Sequence, residues 1–254
     1  MPRLKVEFKN NAGQTLAGAL ELPDQGQPRA MALFAHCFTC GKDVVAASRI
    51  ARELGERGIA VLRFDFTGLG GSDGDFASTT FSTNVSDLEA AAQFLAQSHE
   101  APRLIIGHSL GGAAALVAAR RINSIEAVVT IAAPSTPQHV KHLFKDKACD
   151  ISSDGQADVC IGDRDFVISA ELLADLEQWP LERTVGDLNK PLLIFHSPLD
   201  QVVGIDEAGE IYDAALHPKS FISLDDADHL LTRAADAEYV AVVIGAWASR
   251  YLDG

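Results

Sequence analysis

The run RLIIGHSLGGAAALVAARR, residues 103–121, decides how the rest of the chain is read. Its first residues form a short apolar segment suited to a buried strand. The small-residue run from Gly111 onward suits a helix packed closely on a sheet. Between them stands Gly107-His108-Ser109-Leu110-Gly111, a G-x-S-x-G pattern followed by Gly112. A serine on a sharp strand-to-helix turn is lifted above the sheet, and its neighbours must be small because the flanking backbones approach closely. The turn also sets the hydroxyl at the N-terminus of the next helix, whose positive end favours a developing anion. Five residues match often by chance; the strand before them and the helix after them give the match its meaning.

A serine hydroxyl is a weak nucleophile until a base takes its proton, so the chain should supply a histidine and an acid. In the strand–elbow–helix arrangement the chain order is Ser, then acid, then His. Two late loops satisfy it. After the apolar run PLLIFH comes Ser197-Pro198-Leu199-Asp200, and after SFISL comes Asp225-Asp226-Ala227-Asp228-His229. Both would lie at the C-terminal ends of strands, where open α/β sheets place their chemistry. Of the eight histidines, His229 combines a late position, a post-strand loop and a following helix-like segment, and it stands above His196 and His217 as the base. Asp200 is read as the acid that orients it. Asp206, Asp225, Asp226 and Asp228 are read as solvated or supporting groups, any one of which is an alternative acid.

The oxyanion donors follow from the same logic. Leu110, next after the nucleophile, supplies one backbone N–H, and the loop after the MALFAH strand should supply the other. That loop reads His36-Cys37-Phe38-Thr39-Cys40-Gly41; by analogy with the His-Gly-x loop of many enzymes with this elbow, the amide of Phe38 is the expected second donor, with Thr39 as runner-up. Cys37 stands where many such loops have glycine, so its side chain must turn from the pocket or narrow it. Cys37-x-x-Cys40 also invites a redox reading. No second pair at zinc-binding spacing accompanies it, and small buried thiols commonly behave as core hydrophobes, so both cysteines are read as structural.

Working outward, short apolar runs alternate with helix-periodic stretches, the pattern of a mostly parallel sheet covered by helices. LKVEF and TLAGALEL flank Asn11-Ala12-Gly13 as an antiparallel pair at the edge. MALFAH, IAVLRF, RLIIG, AVVTIAA, PLLIFH and SFISL read as further strands. Helices are predicted over 44–57, 84–96 and 239–251, besides the one after Ser109. The rhythm breaks between about residues 134 and 190. There ADVCIG and DFVIS are split by a turn-like Asp163-Arg164-Asp165, and ISAELLADLEQ looks helical. A structureless loop of that size is improbable in a compact domain, so the segment is read as a cap inserted into a single domain spanning 1–254.

The bulk numbers agree with an ordinary globular protein. Of 254 residues, 47% are hydrophobic and 22% charged, enough apolar material for a large core. The formal charge of −14 argues against a nucleic-acid partner, since phosphate binding needs clustered Lys and Arg. The charged start MPRLKVEFKN lacks the apolar stretch of a secretory signal, and no apolar run approaches the roughly 20 residues that span a bilayer. A cytoplasmic protein with no membrane association is therefore expected. Four cysteines are too few for a disulfide scaffold in a chain this long.

Taken together, HCFTCGKD, RFDFTGLGGSDGDF, IGHSLGG, SPLDQVVGID and HPKSFISLDDADHLLT resemble the bacterial α/β-hydrolases often fused to a C-terminal OsmC-like domain. The resemblance runs through nearly the whole chain and is most specific in the HCFTC loop and the LDDADHLL segment. It implies the α/β-hydrolase fold, a triad of Ser109, Asp200 and His229, and ester hydrolysis. It also makes Cys37 a family trait. The chain ends at Gly254 without the OsmC-like part, so peroxide chemistry is not carried over from longer relatives.

The leading expectation is a carboxylesterase acting on small acyl esters, with no cofactor and no metal. A peptidase, thioesterase or acyltransferase would use the same triad. A dehalogenase or epoxide hydrolase is disfavoured, because those chemistries put a carboxylate at the nucleophile position. A non-catalytic or redox module built on the same fold is the reading from another class.

Overall fold

The computed structural model describes residues 2–161 and 164–253. In chain order the elements are β1 (Arg3–Lys9), β2 (Thr15–Glu21), β3 (Ala30–Ala35), α1 (Val45–Glu56), β4 (Ile59–Phe64), α2 (Phe81–Ser98), β5 (Pro102–His108), α3 (Leu110–Arg121) and β6 (Ala127–Ile131). There follow α4 (Ala148–Asp154), β7 (Gln156–Ile161), β8 (Arg164–Ser169), α5 (Ala170–Leu176), α6 (Leu181–Gly186), β9 (Leu192–His196), α7 (Ile205–Ala214), β10 (Lys219–Ser223) and α8 (Ala234–Leu252).

Eight strands form one sheet in the order β1-β2-β4-β3-β5-β6-β9-β10. β1 pairs antiparallel with β2, β2 antiparallel with β4, and the other neighbours are parallel. Every residue of β3, β4, β6 and β9 is buried, which is why these strands read as unbroken apolar runs rather than alternating ones. Successive side chains point to opposite faces. Phe34, Ile106, Val129 and Phe195 meet Ile50 and Leu54 of α1 and Val240 and Ile244 of α8 on one face. Leu33, Ile105, Val128 and Ile194 meet Leu88 and Leu95 of α2, Leu116 of α3 and Ile211 of α7 on the other. This is the α/β architecture that the alternation of apolar runs and helical periods implies. Among the described residues, no helix is long and apolar enough to cross a membrane.

Several boundaries differ from the sequence reading, each for a local reason. α2 begins at Phe81, not near Asn84, because Thr80 caps it: the Thr80 hydroxyl accepts from Thr83 N–H while the Thr83 side chain returns to the Thr80 amide. α8 begins at Ala234, five residues before Tyr239. α7 escaped the sequence reading because it buries only Ala208 and Ile211, too few to mark a period.

Between β6 and β9 the chain forms an irregular helical stretch (Pro137–Lys147) interrupted at Phe144, then α4, the antiparallel β7–β8 hairpin, α5 and α6. Arg164 and Asp165 belong to β8 rather than to a turn, with Cys160 opposite Asp165 and Ile161 opposite Arg164. Asp163, the other residue of the expected turn, lies outside the described residues. α6 packs on α3 and α7, while α5 packs on α2.

A guanidinium is held inside the body. Arg63 of β4 is fully buried; it donates to Glu21 Oε1 at 2.7 Å and to the Lys42 carbonyl. Asp43 lies farther from Arg63, at 3.7 Å, and is exposed, so removing Glu21 takes away the buried partner of a buried charge, a change that costs about 3–5 kcal/mol. Glu21→Ala is therefore expected to lower the unfolding free energy by about 3 kcal/mol, measured by denaturant midpoint. An unchanged midpoint would refute the role assigned to this pair.

Candidate active site

Four parallel strands end on the same edge of the sheet, and their outgoing loops carry the residues of interest: 36–41 after β3, Ser109 after β5, Asp200 after β9 and His229 after β10. The elbow is the tightest point. Ser109 has φ 54°, the left-handed region that side chains rarely occupy, and its amide is held by the Ile131 carbonyl at 2.9 Å. A Cβ on Gly107 would lie 2.3 Å from the Gly111 carbonyl oxygen, and one on Gly111 would lie 2.3 Å from that of His36. The glycines are thus required by backbone packing between β5, α3 and the end of β3.

Ser109, His229 and Asp200 lie in one hydrogen-bonded line. His229 Nε2 is 3.0 Å from Ser109 Oγ, and His229 Nδ1 is 2.8 Å from Asp200 Oδ2. A carboxylate can only accept, so Nδ1 carries the proton and the Nε2 lone pair faces the serine hydroxyl. Asp200 is buried, and its Oδ1 accepts from the amides of Val202 (2.8 Å) and Val203 (2.9 Å). Burial pushes the Asp200 carboxyl up, but the hydrogen bonds from His229 and these two amides outweigh it and hold it below its ordinary value. Among the described residues, the carboxylates of Asp206, Asp225, Asp226 and Asp228 make no hydrogen bond or ion pair with the His229 ring, which bonds to Asp200 and Ser109. Asp226 pairs with Arg233 at 2.7 Å, and Asp228 accepts from the Thr232 amide at 3.0 Å.

Three further histidines brace this line, and their burial gave no signal in the sequence. His108 donates from Nε2 to the His229 carbonyl at 2.7 Å. His36 donates from Nδ1 to the Cys37 carbonyl at 2.8 Å and accepts the Phe66 amide at 3.4 Å. His196 donates from Nε2 to the Val203 carbonyl at 2.8 Å. Burial lowers His36 and His108 to about 4, so both are neutral struts at ordinary pH; burial lowers His196 as well.

The amides of Leu110, Phe38 and Thr39 donate to no other group among the described residues. Cys37 and Cys40, read from sequence as structural, are joined in a disulfide with Cα atoms 5.3 Å apart, closing the loop around Phe38 and Thr39. Thr39 has φ 59°. Cys149 and Cys160 are exposed and lie outside this disulfide.

Ser109 opens into a cavity of about 400 Å³. One side is the 37–40 loop with Val202, Val203, His229 and Leu230; the other is Pro134, His139, Val140, His142, Leu143, Ile161 and Arg164 from the 134–190 segment. Arg164 crosses from β8 to donate to the Thr39 carbonyl at 3.0 Å. The start of the segment is tied to α7 through Glu207, which accepts from Ser135 N and Oγ at 2.6 Å each and pairs with His139 Nδ1 at 3.2 Å. His139 Nε2 faces the Val202 carbonyl at 3.0 Å. Both ring nitrogens thus face acceptors, which favours the imidazolium and raises His139, while the hydrogen bond from His139 lowers Glu207 to about 2. Neither Glu207 nor Arg164 belongs to a local motif, and only the fold brings them here.

Residues 26–150 match the family model described as serine aminopeptidase, S33. The solved esterase domain of a Rhodothermus marinus protein is 49% identical, with a TM-score of 0.83, and the match covers 99% of this chain and all of that one. A mouse protein named palmitoyl-protein thioesterase ABHD10, mitochondrial, is 24% identical over 211 residues, which is 80% of this chain and 69% of that one. The solved structure described as ferulic acid bound to Est1E from Butyrivibrio proteoclasticus is 18% identical with a TM-score of 0.80, covering 98% of this chain and 100% of that one. At that identity the likeness is one of fold.

Two expectations follow from this geometry. Gly111→Ala drives a Cβ into the His36 carbonyl, so a loss of about 3 kcal/mol or failure to fold is expected in denaturant unfolding; wild-type stability would contradict the packing argument. The second concerns pH. Glu207 is depressed in the folded state, so its stabilisation is full above the unfolded carboxyl value and is lost as pH falls through about 2. Between pH 5 and 2 this should remove on the order of 2 kcal/mol. Glu207→Gln should flatten that part of a Tm-against-pH curve, and an unaltered slope would count against it.

Proposed function

Since the chain belongs to the α/β-hydrolase family, we propose that it is a serine carboxylesterase that cleaves small acyl esters through an acyl-enzyme on Ser109. The observation that carries the reading is the hydrogen-bonded line from Ser109 Oγ through His229 to the buried Asp200, with distances of 3.0 and 2.8 Å. In this reading Ser109 Oγ attacks the acyl carbonyl carbon while His229 Nε2 takes its proton. Asp200 keeps the proton on Nδ1 and stabilises the imidazolium. The amides of Leu110 and Phe38 receive the negative charge on the tetrahedral oxygen; one such donor is commonly worth about 10²–10³ in kcat. Collapse expels the alcohol, protonated by His229. Water, deprotonated in turn by His229, then releases the acid and restores Ser109. No cofactor or metal enters these steps.

The 134–190 segment acts as a cap in this reading, because it supplies one wall of the cavity over Ser109. The expected substrate is a small-molecule acyl ester, with no nucleic acid or membrane involved, in the cytoplasm. The resemblance to hydrolases fused to OsmC-like domains fits this activity and is carried over for ester hydrolysis alone. The strongest alternative is thioester hydrolysis. It is favoured by the apolar part of the cavity wall (Phe38, Val140, Leu143, Ile161, Val202 and Leu230), which suits an acyl chain, and by the name of the mouse relative. The same triad would serve a peptidase or an acyltransferase.

Hydrolysis of p-nitrophenyl esters of increasing acyl length, set against the matching thioesters, tests both readings. Ser109→Ala and His229→Ala should lower kcat at least ~10³-fold, and Asp200→Asn about 10⁴-fold, with the fold intact by circular dichroism. Equal rates for wild type and Ser109→Ala on every substrate would sink the assignment. A preference for thioesters at each chain length would move it to the alternative.

A further inference from the structure

The Cys37–Cys40 disulfide has no part in the steps above, yet it encloses one of their components. It links the residues on either side of Phe38 and Thr39, and all four line the cavity over Ser109. A ring with sequence separation 3 restricts the unfolded chain far less than a long-range cross-link does, so its effect is on local geometry.

Outside this ring the loop is pinned at both ends. His36 donates to the Cys37 carbonyl at 2.8 Å, and the Lys42 amide donates to Asp65 Oδ1 at 2.6 Å. Within the ring one main-chain-to-main-chain hydrogen bond runs from the Cys40 amide to the Cys37 carbonyl at 3.2 Å, and the Thr39 hydroxyl donates to the Phe38 carbonyl at 2.7 Å. Thr39, a β-branched residue, is held at φ 59°, a conformation that persists only where the surroundings impose it. The Thr39 carbonyl is also the point that Arg164 grips from the β7–β8 hairpin. The covalent bond thus closes a ring that contains both the Phe38 amide and the carbonyl on which the 134–190 segment is fastened across the cavity.

The bond is also within reach. Both cysteines line the cavity, and Cys40 is the more exposed of the two, while Cys37 is 4% exposed, so Cys40 is the side of the bond open to a small thiol. The guanidinium of Arg164 lines the same wall, and a nearby cation favours a thiolate leaving group.

From this geometry we infer that the Cys37–Cys40 disulfide is a redox site for a dithiol reductant, and that its opening lowers turnover at Ser109 by releasing the Phe38 amide. The reductant's thiolate attacks Cys40 Sγ, forming a mixed disulfide and breaking the bond to Cys37, which leaves as a thiolate and takes up a proton. The reductant's second thiol, as its thiolate, then attacks its own sulfur in the mixed disulfide. Cys40 leaves as a thiolate and is protonated, and the reductant departs as a cyclic disulfide. Two electrons and two protons pass to the protein. In a reducing compartment such as the cytoplasm proposed above, a disulfide that forms at all is commonly transient or redox-sensing. The regulatory role rests on the esterase reading; the reducibility of the pair does not.

The test uses the full chain carrying Cys149→Ser and Cys160→Ser, which removes the two exposed thiols. The protein is equilibrated with reduced and oxidised dithiothreitol at set ratios. Each sample is divided between maleimide labelling, read by mass, and ester hydrolysis, read as kcat and KM. The expectation is that kcat falls about tenfold or more as two labels appear, with KM changed less than threefold, and that reoxidation restores kcat. Circular dichroism on the reduced sample should match the oxidised one. Two labels with unchanged kcat would overturn the regulatory role. No labels at any ratio short of unfolding would overturn the redox site. An oxidised protein without hydrolysis on any ester would instead refute the esterase reading, and labelling would still report whether the pair is reducible.

Discussion

The contact on which the rest of this structure depends is the backbone approach between β5, the first turn of α3 and the end of β3. Gly107 faces the Gly111 carbonyl, and Gly111 faces the carbonyls of Ala35 and His36, at separations that leave no room for a Cβ. That approach does two things at once. It forces the turn at Ser109 into positive φ, lifting the hydroxyl off the sheet. It also brings the Leu110 amide alongside the loop that begins at His36. The spacing between the two proposed oxyanion donors is therefore set by main chain resting on main chain, which is stiffer than any arrangement of side chains.

Around this point the polar groups follow one rule: a buried imidazole is kept neutral and spends its N–H on a backbone carbonyl. His36 fixes Cys37, His108 fixes His229, and His196 fixes Val203. Burial keeps the first two near pKa 4, so neither competes with His229 for a proton. Asp200 reverses the balance, since two amides and His229 outweigh its desolvation and keep it ionised. Neutral struts around one ionised acid suit a base that must bind a proton and release it within each turnover.

The 134–190 segment is fastened by contacts of a different kind. Glu207 holds its beginning, and Arg164 returns from the hairpin to the Thr39 carbonyl. Both are polar, and one of them ends on a loop closed by a disulfide. The proposed cap is thus tied to the proposed oxyanion loop itself. A change in that loop would alter the wall of the cavity and the reacting centre together.

The sequence by itself determined the alternation of buried strands with helices, and with it the α/β sheet. Apolar runs such as AVVTI and LLIFH are fully enclosed and carry that signal without context. It also determined that a serine would stand on a glycine-lined turn after β5, because the requirement for small neighbours is local. Ser109, Asp200 and His229 were legible as candidates for a related reason: each follows a strand, and parallel strands deliver their outgoing loops to one edge. Only the tertiary structure decided which aspartate meets His229, since Asp200, Asp225, Asp226 and Asp228 differ in direction rather than in type. It alone joined Cys37 to Cys40 and brought Arg164 and Glu207 to the cavity. α7 and the irregular stretch after Pro137 lay beyond sequence reading because each buries only two or three side chains, leaving no period to detect. What is repeated or locally constrained is written along the chain; what depends on direction between distant segments exists only once the chain has packed.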